Sequence, residues 1–156
     1  KPWDYDIENP GYNYRLDEIR ASLGINQMKR IKKMNLLRKK AANYYTEKLE
    51  NVNGIVVPDK SIGADHVHHL YVIRITGKYS ITRNMLFNKL LNKGIRTSVH
   101  YKPLHMFTIF KKMAKVSGSL SNSKNAYSQI LSLPIYPSIS KRQQNVVIHN
   151  IEKYEG

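Results

Sequence analysis

The sequence has 156 residues, 41% of them hydrophobic and 24% charged, which is typical of one globular domain and not of a disordered segment. It has no cysteine, which excludes disulfides, thiol catalysis and thiolate-bound metals, and no apolar run of about 18 residues, which a membrane-spanning helix needs. The formal net charge of +15 requires an anionic partner, an acidic part elsewhere in the protein, or simple solubility as its reason.

Residues 1–15 are predicted to form an extended arm, because Asn9-Pro10-Gly11 is a strong turn signal. Large aromatic side chains with polar tips bury their rings against a surface, either this domain's own core or another domain or subunit. The arm contains four of them: Trp3, Tyr5, Tyr12 and Tyr14. The sequence begins without methionine and without an apolar leader, so we expect a piece of a longer, cytoplasmic protein.

Two helices are predicted after the arm. Leu16, Ile19 and Leu23 fall on one helical face, and Gly24 predicts a break or kink. Apolar residues at spacings of three and four then predict a second helix over 28–49. A run of cations on its polar side is most simply a solvated face: Lys29, Arg30, Lys32, Lys33, Arg38, Lys39 and Lys40.

Two strands and a third helix are predicted next. Residues 55–57 and 69–75 are rich in β-branched side chains, and a polar loop through Gly63 separates them. A helix is predicted from Thr82 onward, with Gly94 in the left-handed conformation that often ends a helix.

The last third of the sequence is predicted to be mostly helix and loop. A short helical segment is expected over 104–113, a mobile polar loop over 117–125 and a short helix over 126–131. The prolines in 133–137 exclude a central strand. Ser140, with a glutamine three residues later, predicts a capping box for the final helix. The elements together predict an α+β fold around a small sheet.

Searches for common catalytic and metal motifs return nothing. The sequence contains no G-x-G-x-x-G, no G-x-x-x-x-G-K-[ST] and no H-E-x-x-H. Three histidines lie close together, at His66, His68 and His69. We expect no metal site there, because adjacent residues of a strand point to opposite faces of the sheet.

Two clusters of polar side chains are candidates for ligand binding. Residues 11–15 place an amide and a guanidinium beside the start of a helix, which suits a phosphate or carboxylate. Residues 100–105 follow a predicted strand at 95–99 and offer four hydrogen-bonding side chains, which suits an anionic or hydroxyl-rich ligand. Taken alone, each cluster is a weak signal, because aromatics at a turn and a surface His-Tyr pair are commoner than binding sites.

Four segments in order resemble one protein family: GYNYRLDEIRASLGINQMKRI, HHLYVIRI, KGIRTSVHYKPLH and LSLPIYP. They are similar to the C-terminal part of the DegT/DnrJ/EryC1/StrS aminotransferases, pyridoxal-phosphate enzymes that aminate keto sugars on nucleotides. The resemblance, from about Gly11 to the end, implies the small C-terminal domain of the aspartate-aminotransferase-like fold type I, with a small antiparallel sheet flanked by helices and a long N-terminal helix. It implies an interdomain or dimer-interface arm and linker helix at 1–25, the small domain at 26–156, and a large cofactor domain outside the chain.

The resemblance also implies roles for five side chains. Asn13 would hold the phosphate of pyridoxal phosphate across the interface of a homodimer. Tyr12 and Arg15 would lie near the substrate, and His100 and Tyr101 would line the nucleotide-sugar pocket.

The Schiff-base lysine of the family lies in the large domain, so the resemblance assigns no catalytic residue to this chain. We expect the chain alone to be inactive and not to retain the cofactor. The intact enzyme would transfer an amino group from glutamate or another amino acid to a nucleotide-linked keto sugar, in cell-surface polysaccharide or amino-sugar biosynthesis.

Three other interpretations of the sequence stay open. Some members of the family act as dehydratases or regulators, and the residues that separate them lie outside this chain. A basic module that binds polyanions or nucleic acid would explain the charge, although no nucleic-acid motif supports it and we expect no specific nucleic-acid partner. A purely structural dimerisation domain is the third.

Overall fold

The computed structural model describes residues 2–59 and 66–155, so the loop predicted through Gly63 lies outside the described residues. Within these ranges the elements are α1 (Glu18–Met28), α2 (Ile31–Leu49), β1 (Ile55–Val56), β2 (Tyr71–Ile75), α3 (Arg83–Asn92), a 3₁₀ turn (Leu104–Met106), α4 (Thr108–Met113), α5 (Ser121–Gln129), β3 (Ile130–Leu133) and α6 (Lys141–Glu152). No helix in this part of the chain is long and apolar enough to cross a bilayer.

The sheet has three antiparallel strands in the order β1-β2-β3. Ile55 pairs with Ile75 at one side of the central strand, and Tyr71 pairs with Leu133 at the other. Alternate residues of β2 are buried while Arg74 is exposed, as expected for a sheet with one face in the core. The predicted α+β fold with a small antiparallel sheet is therefore confirmed.

The core lies between the buried face of the sheet and helices α2, α3 and α6. Buried polar groups there are paired: the hydroxyls of Thr46 and Tyr71 lie 2.8 Å apart, and Gln144 donates its amide to the carbonyl of Ala41 at 2.8 Å. Burial raises the pKa of Tyr71 to about 12. The sheet and these three helices therefore enclose one core, in which the apolar side chains are buried and these polar groups have hydrogen-bond partners.

The predicted helix ends are confirmed at α3 and α6. The hydroxyl of Thr82 accepts a backbone N–H of the first turn of α3. Gly94, with φ of +73°, donates to the carbonyl of Leu91, and the next N–H donates to Leu90, which is the Schellman arrangement. Ser140 forms the predicted capping box at the start of α6.

The break predicted at Gly24 is wrong. Helix α1 runs through Gly24, and the interruption comes at residues 29–30, between α1 and α2. A side chain at Gly24 would contact nothing within 4 Å, so this glycine lies on an open helix surface. An exposed helical glycine costs only about 1 kcal/mol relative to alanine, which a helix of this length tolerates.

Three predictions for the second half of the chain are also corrected. The polar loop predicted over 117–125 contains the first half of α5, and the short helix predicted over 126–131 ends where β3 begins. The strand predicted over 95–99 contributes only an isolated bridge between Ser98 and Ser132. The residues on either side of Ser98 place their side chains in the core instead, since Ile95 and Val99 are buried.

The aromatic residues of the arm divide into two groups. Trp3 is 9% exposed, and its ring centroid lies 3.9 Å from that of Phe87. Tyr12 and Tyr14 are each 86% exposed. Packing on this domain's own core therefore explains Trp3, whereas nothing among the described residues covers Tyr12 or Tyr14.

Candidate functional site

His100 begins the candidate cluster at residues 100–105 and is held against the sheet. Its Nδ1 lies 2.8 Å from the hydroxyl of Ser132 on β3. Burial, with a smaller effect of His69, lowers the pKa of His100, so its imidazole is neutral at pH 7. The Tyr101 ring lies edge-on to the His100 ring at 4.8 Å and is 61% exposed. The pair thus presents an anchored imidazole beside an accessible phenol.

Lys102 and His105 of the same cluster do not face outward with Tyr101. The Lys102 ammonium donates to the carbonyl of Tyr5 at 3.0 Å and lies 3.5 Å from a carboxylate oxygen of Asp4. The Nε2 atom of His105 is buried and has no hydrogen-bond partner among the described residues. Lys102 is therefore engaged by the arm, and the accessible hydrogen-bonding group of this cluster is the phenol of Tyr101.

The candidate cluster at residues 11–15 is exposed. Within the described ranges, the side chains of Asn13 and Arg15 take part in no hydrogen bond or ion pair. The carboxylate of Asp17 closes the start of α1, accepting the backbone N–H of Arg20 at 2.9 Å and its guanidinium at 2.8 Å. Asp17 thus already accepts one of the first-turn N–H groups of α1. The Asn13 amide and the Arg15 guanidinium are exposed donors beside it.

The chain does not bring the two clusters together through direct contacts. No hydrogen bond, ion pair or ring contact joins residues 11–15 to residues 100–105 in the part of the chain that the structure describes. Tyr12, Asn13 and Arg15 are instead available to groups outside this chain.

Helix α1 has no buried residue. Leu16, Ile19 and Leu23, which the sequence places on one face, are 62–77% exposed, and Ile25 and Met28 fall in the same range. An exposed apolar surface of this kind marks a contact with another domain or molecule.

The neighbouring histidines do not form a strand. His68 and His69 precede β2, and His68 has a positive φ of 47°. The backbone N–H of His68 donates to Nδ1 of His66 at 3.0 Å. In residues 2–59 and 66–155, no group of three His, Cys, Asp or Glu side chains is arranged to hold a metal ion.

Most lysines of the described residues are exposed. Lys89 and Lys102 are partly buried, and the others are exposed. Lys89 lies over the ring of Tyr154 at 4.6 Å. A lysine that forms a Schiff base is normally desolvated in a pocket. The exposed lysines do not meet that condition, and the ammonium of Lys102 is already bonded to the Tyr5 carbonyl.

A feature that sequence reasoning missed links the arm to the start of α4, just after the 100–105 cluster. The carboxylate of Asp6 accepts hydrogen bonds from both the backbone N–H and the hydroxyl of Thr108, and the N–H bond measures 2.9 Å. These bonds hold the pKa of Asp6 down, at about 2. Two closely spaced acidic residues in a chain of high positive charge, Asp4 and Asp6, were the available signal.

Comparison with known proteins places this arrangement among aminotransferases. The sequence profile of the DegT/DnrJ/EryC1/StrS aminotransferase family matches residues 2–152. The chain is 32% identical over 148 residues to the UDP-4-amino-4,6-dideoxy-N-acetyl-beta-L-altrosamine transaminase of Campylobacter jejuni, covering 93% of this chain and 38% of that protein. It is 33% identical over 147 residues to the pleiotropic regulatory protein of Geobacillus stearothermophilus, covering 92% and 38%.

A solved structure with the same fold is that of DesV from S. venezuelae, with a TM-score of 0.81 and 30% sequence identity. It is matched over 97% of this chain and 40% of its own length. The chain therefore spans about two fifths of the proteins it resembles.

Proposed function

The chain belongs to the DegT/DnrJ/EryC1/StrS aminotransferase family, and we propose that it is the C-terminal part of an enzyme that moves an amino group from an amino acid to a keto carbon of a nucleotide-linked sugar. The observation that carries the proposal is the exposed pair Asn13 and Arg15, two donors with no partner among the described residues, within a chain that matches the family over residues 2–152.

The residues of the 11–15 cluster fit a phosphate. Asn13 offers a neutral amide donor and Arg15 a guanidinium, and phosphate is well held by such a combination. We propose that Asn13 binds the phosphate of pyridoxal phosphate across a homodimer interface, with Tyr12 and Arg15 close to the substrate. Bound pyridoxal phosphate supplies the electron sink and amino-group carrier that transamination needs.

His100 and Tyr101 are proposed to line the nucleotide-sugar site. The hydrogen bond to Ser132 fixes the orientation of the His100 ring, and the exposed phenol of Tyr101 donates to or accepts from a sugar hydroxyl or phosphate oxygen. These residues bind and orient the substrate; we assign none of them a proton-transfer step.

We propose that the chain alone is inactive and that the cofactor lysine lies in a large domain outside it. The proposal is supported by the exposure of most described lysines and by the hydrogen bond of the Lys102 ammonium to the Tyr5 carbonyl. The chain is mixed with pyridoxal phosphate, reduced with borohydride and mapped by mass spectrometry. Scattered low labelling of surface lysines is expected, whereas stoichiometric labelling of one lysine would overturn the proposal.

The exposed apolar side of α1 is proposed to pack against that large domain and the partner subunit. This assigns residues 1–25 to the interface and residues 26–156 to the small domain. Full-length protein should elute as a dimer on size-exclusion chromatography with light scattering, and Leu23→Asp should weaken the dimer or its cofactor affinity.

The direct test is amino transfer by the full-length enzyme. Purified protein is incubated with pyridoxal phosphate, glutamate and a panel of UDP- and TDP-linked keto sugars, and aminated product is detected by mass spectrometry. Loss of the sugar oxygen without gain of nitrogen would indicate a dehydratase. Absence of any turnover would favour a regulatory protein, the function named for the Geobacillus stearothermophilus relative.

The basic face of α2 supports only weak attraction to nucleic acid. Single-strand binders place aromatic rings along their basic groove, and here Tyr45 is buried at 0% exposure while Tyr44 lies at the far end of the helix. Binding to oligonucleotides should therefore vanish near physiological salt. Retention or sequence preference there would promote the nucleic-acid alternative.

A further inference from the structure

Five consecutive residues of the arm, Trp3 to Ile7, are bound to a part of the chain about one hundred residues away. We call residues 3–7 the strap and residues 100–107 the substrate loop. The Trp3 ring packs against Phe87, and the Tyr5 ring lies 5.4 Å from that of Phe107 at the end of the substrate loop. The strap thus packs on the small domain, although it lies in the arm that is assigned above to the interface and precedes the exposed residues 11–15 in sequence.

Lys102 is the centre of the contact between the strap and the substrate loop. Its ammonium bonds to the carbonyl of Tyr5 and lies within 3.5 Å of Asp4, and its side chain is only 15% exposed. The ammonium also lies 5.1 Å from the centroid of the Phe107 ring. Because Lys102 directly follows Tyr101, this contact restrains the backbone at Tyr101, which is proposed to bind the substrate.

Asp6 and Ile7 hold the first turn of α4, which directly follows the substrate loop. Asp6 accepts two hydrogen bonds from Thr108, and the carbonyl of Ile7 accepts the N–H of Ile109 at 2.9 Å. At the other end, His100 is bonded to Ser132 of the sheet. The loop is therefore held by the sheet at its start and by the strap from Lys102 onward.

We propose that Asp6 and Lys102 are positioning residues that hold His100 and Tyr101 in place for the nucleotide sugar. This inference rests on the function proposed above. The strap ends six residues before Asn13, and six residues of fully extended chain reach about 20 Å at most. The attachment of the strap therefore also limits how far residues 11–15 can move from the substrate loop.

Hydrogen exchange tests the restraint without reference to activity. Full-length protein and its Lys102→Met variant are compared by mass spectrometry, with Lys112→Met as the matched control because Lys112 is an exposed lysine on nearby α4. Exchange of the peptide covering 99–107 should be about tenfold faster in Lys102→Met and unchanged in Lys112→Met. Equal exchange in all three proteins would overturn the restraint.

Steady-state kinetics tests the positioning. In Lys102→Met the KM for the nucleotide sugar should rise about tenfold, while the rate of the half-reaction with the amino-acid donor stays within about twofold of wild type. Asp6→Asn, which keeps an acceptor for the Thr108 N–H, should show a smaller rise, and Lys102→Arg should restore most of the affinity. A parallel loss in both half-reactions, or an unchanged KM, would overturn the inference.

The two proposals fail in different ways. Wild-type enzyme that aminates no nucleotide sugar would overturn the proposed function, and the positioning role with it, even if the exchange experiment confirmed the restraint. Active wild-type enzyme with variants that match Lys112→Met would overturn the positioning role alone. If Lys102→Met does not fold, Asp6→Asn and Lys102→Arg decide the question by the same measurements.

Discussion

The packed core and the exposed segment at residues 8–28 have similar sequences but opposite environments. Both contain leucine and isoleucine at helical spacings. In α3, Leu86 and Leu90 are 0% exposed, whereas in α1 Leu23 is 62% exposed and no residue is buried. Periodicity thus identifies a helix and its apolar face, but only the surrounding chain decides whether that face is covered.

The difference between the two regions predicts different costs for the same substitution. Leu86→Ala should lower the free energy of unfolding of this chain by about 3–5 kcal/mol, because it leaves a cavity in a closed core. Leu23→Ala should change it by less than about 0.5 kcal/mol, because the side chain is already in solvent. Urea denaturation of the two variants measures both values. Comparable losses would mean that α1 is packed in solution.

The arm contains both environments within a few residues. Trp3→Ala should lower the free energy of unfolding by about 3 kcal/mol, because Trp3 packs on Phe87 and its ring lies 5.3 Å from the Arg83 guanidinium. Tyr14→Ala, an aromatic truncation in the exposed part of the same arm, should leave the urea midpoint unchanged. A shift in the midpoint for Tyr14→Ala would show that the exposed part of the arm docks on the chain.

The exposed segment should matter for binding instead of stability. Asn13→Ala should leave the unfolding of this chain unchanged and weaken cofactor retention in the full-length enzyme by about 2 kcal/mol, the value of a hydrogen bond to a charged group. The dissociation constant of pyridoxal phosphate, followed by absorbance, measures the effect. An unchanged constant would remove Asn13 from the proposed phosphate site.

The strap should make the stability of the fold depend slightly on pH in the acid range. Hydrogen bonds from the side chain and backbone of Thr108 lower the pKa of Asp6 from 3.8 to about 2, so this carboxylate stabilises the fold above pH 3.8, and the contribution is lost as the pH falls through about 2. Thermal midpoints of wild type and Asp6→Asn should differ at pH 5 and converge towards pH 2.

Thr108→Val is the matched test of that cause. It removes one of the two donors to Asp6, so its midpoint should depend less steeply on pH than that of wild type between pH 4 and 2. A constant difference between wild type and Asp6→Asn across this range would contradict the assignment to the Asp6 carboxylate.

Several features of the fold were determined by the sequence alone. The capping box at Ser140 and the glycine cap at Gly94 each depend on two or three residues and their own backbone, so a local pattern is enough to predict them. The alternation in β2 and the apolar spacing in α2 are equally local. The family resemblance, and with it residues such as Asn13, came from ordered motifs that need no coordinates.

Tertiary structure decided the elements whose local signals were weak or ambiguous. Serine and asparagine compete with the backbone for hydrogen bonds, so α5 at Ser121–Gln129 has no strong helical signal of its own. Residues 130–133 are a short apolar run that suits helix or strand, and pairing with β2 selects the strand. The links from the strap to Lys102 and Thr108 join residues about one hundred positions apart, which no local pattern encodes, because such contacts are set by how the packed elements bring distant side chains together.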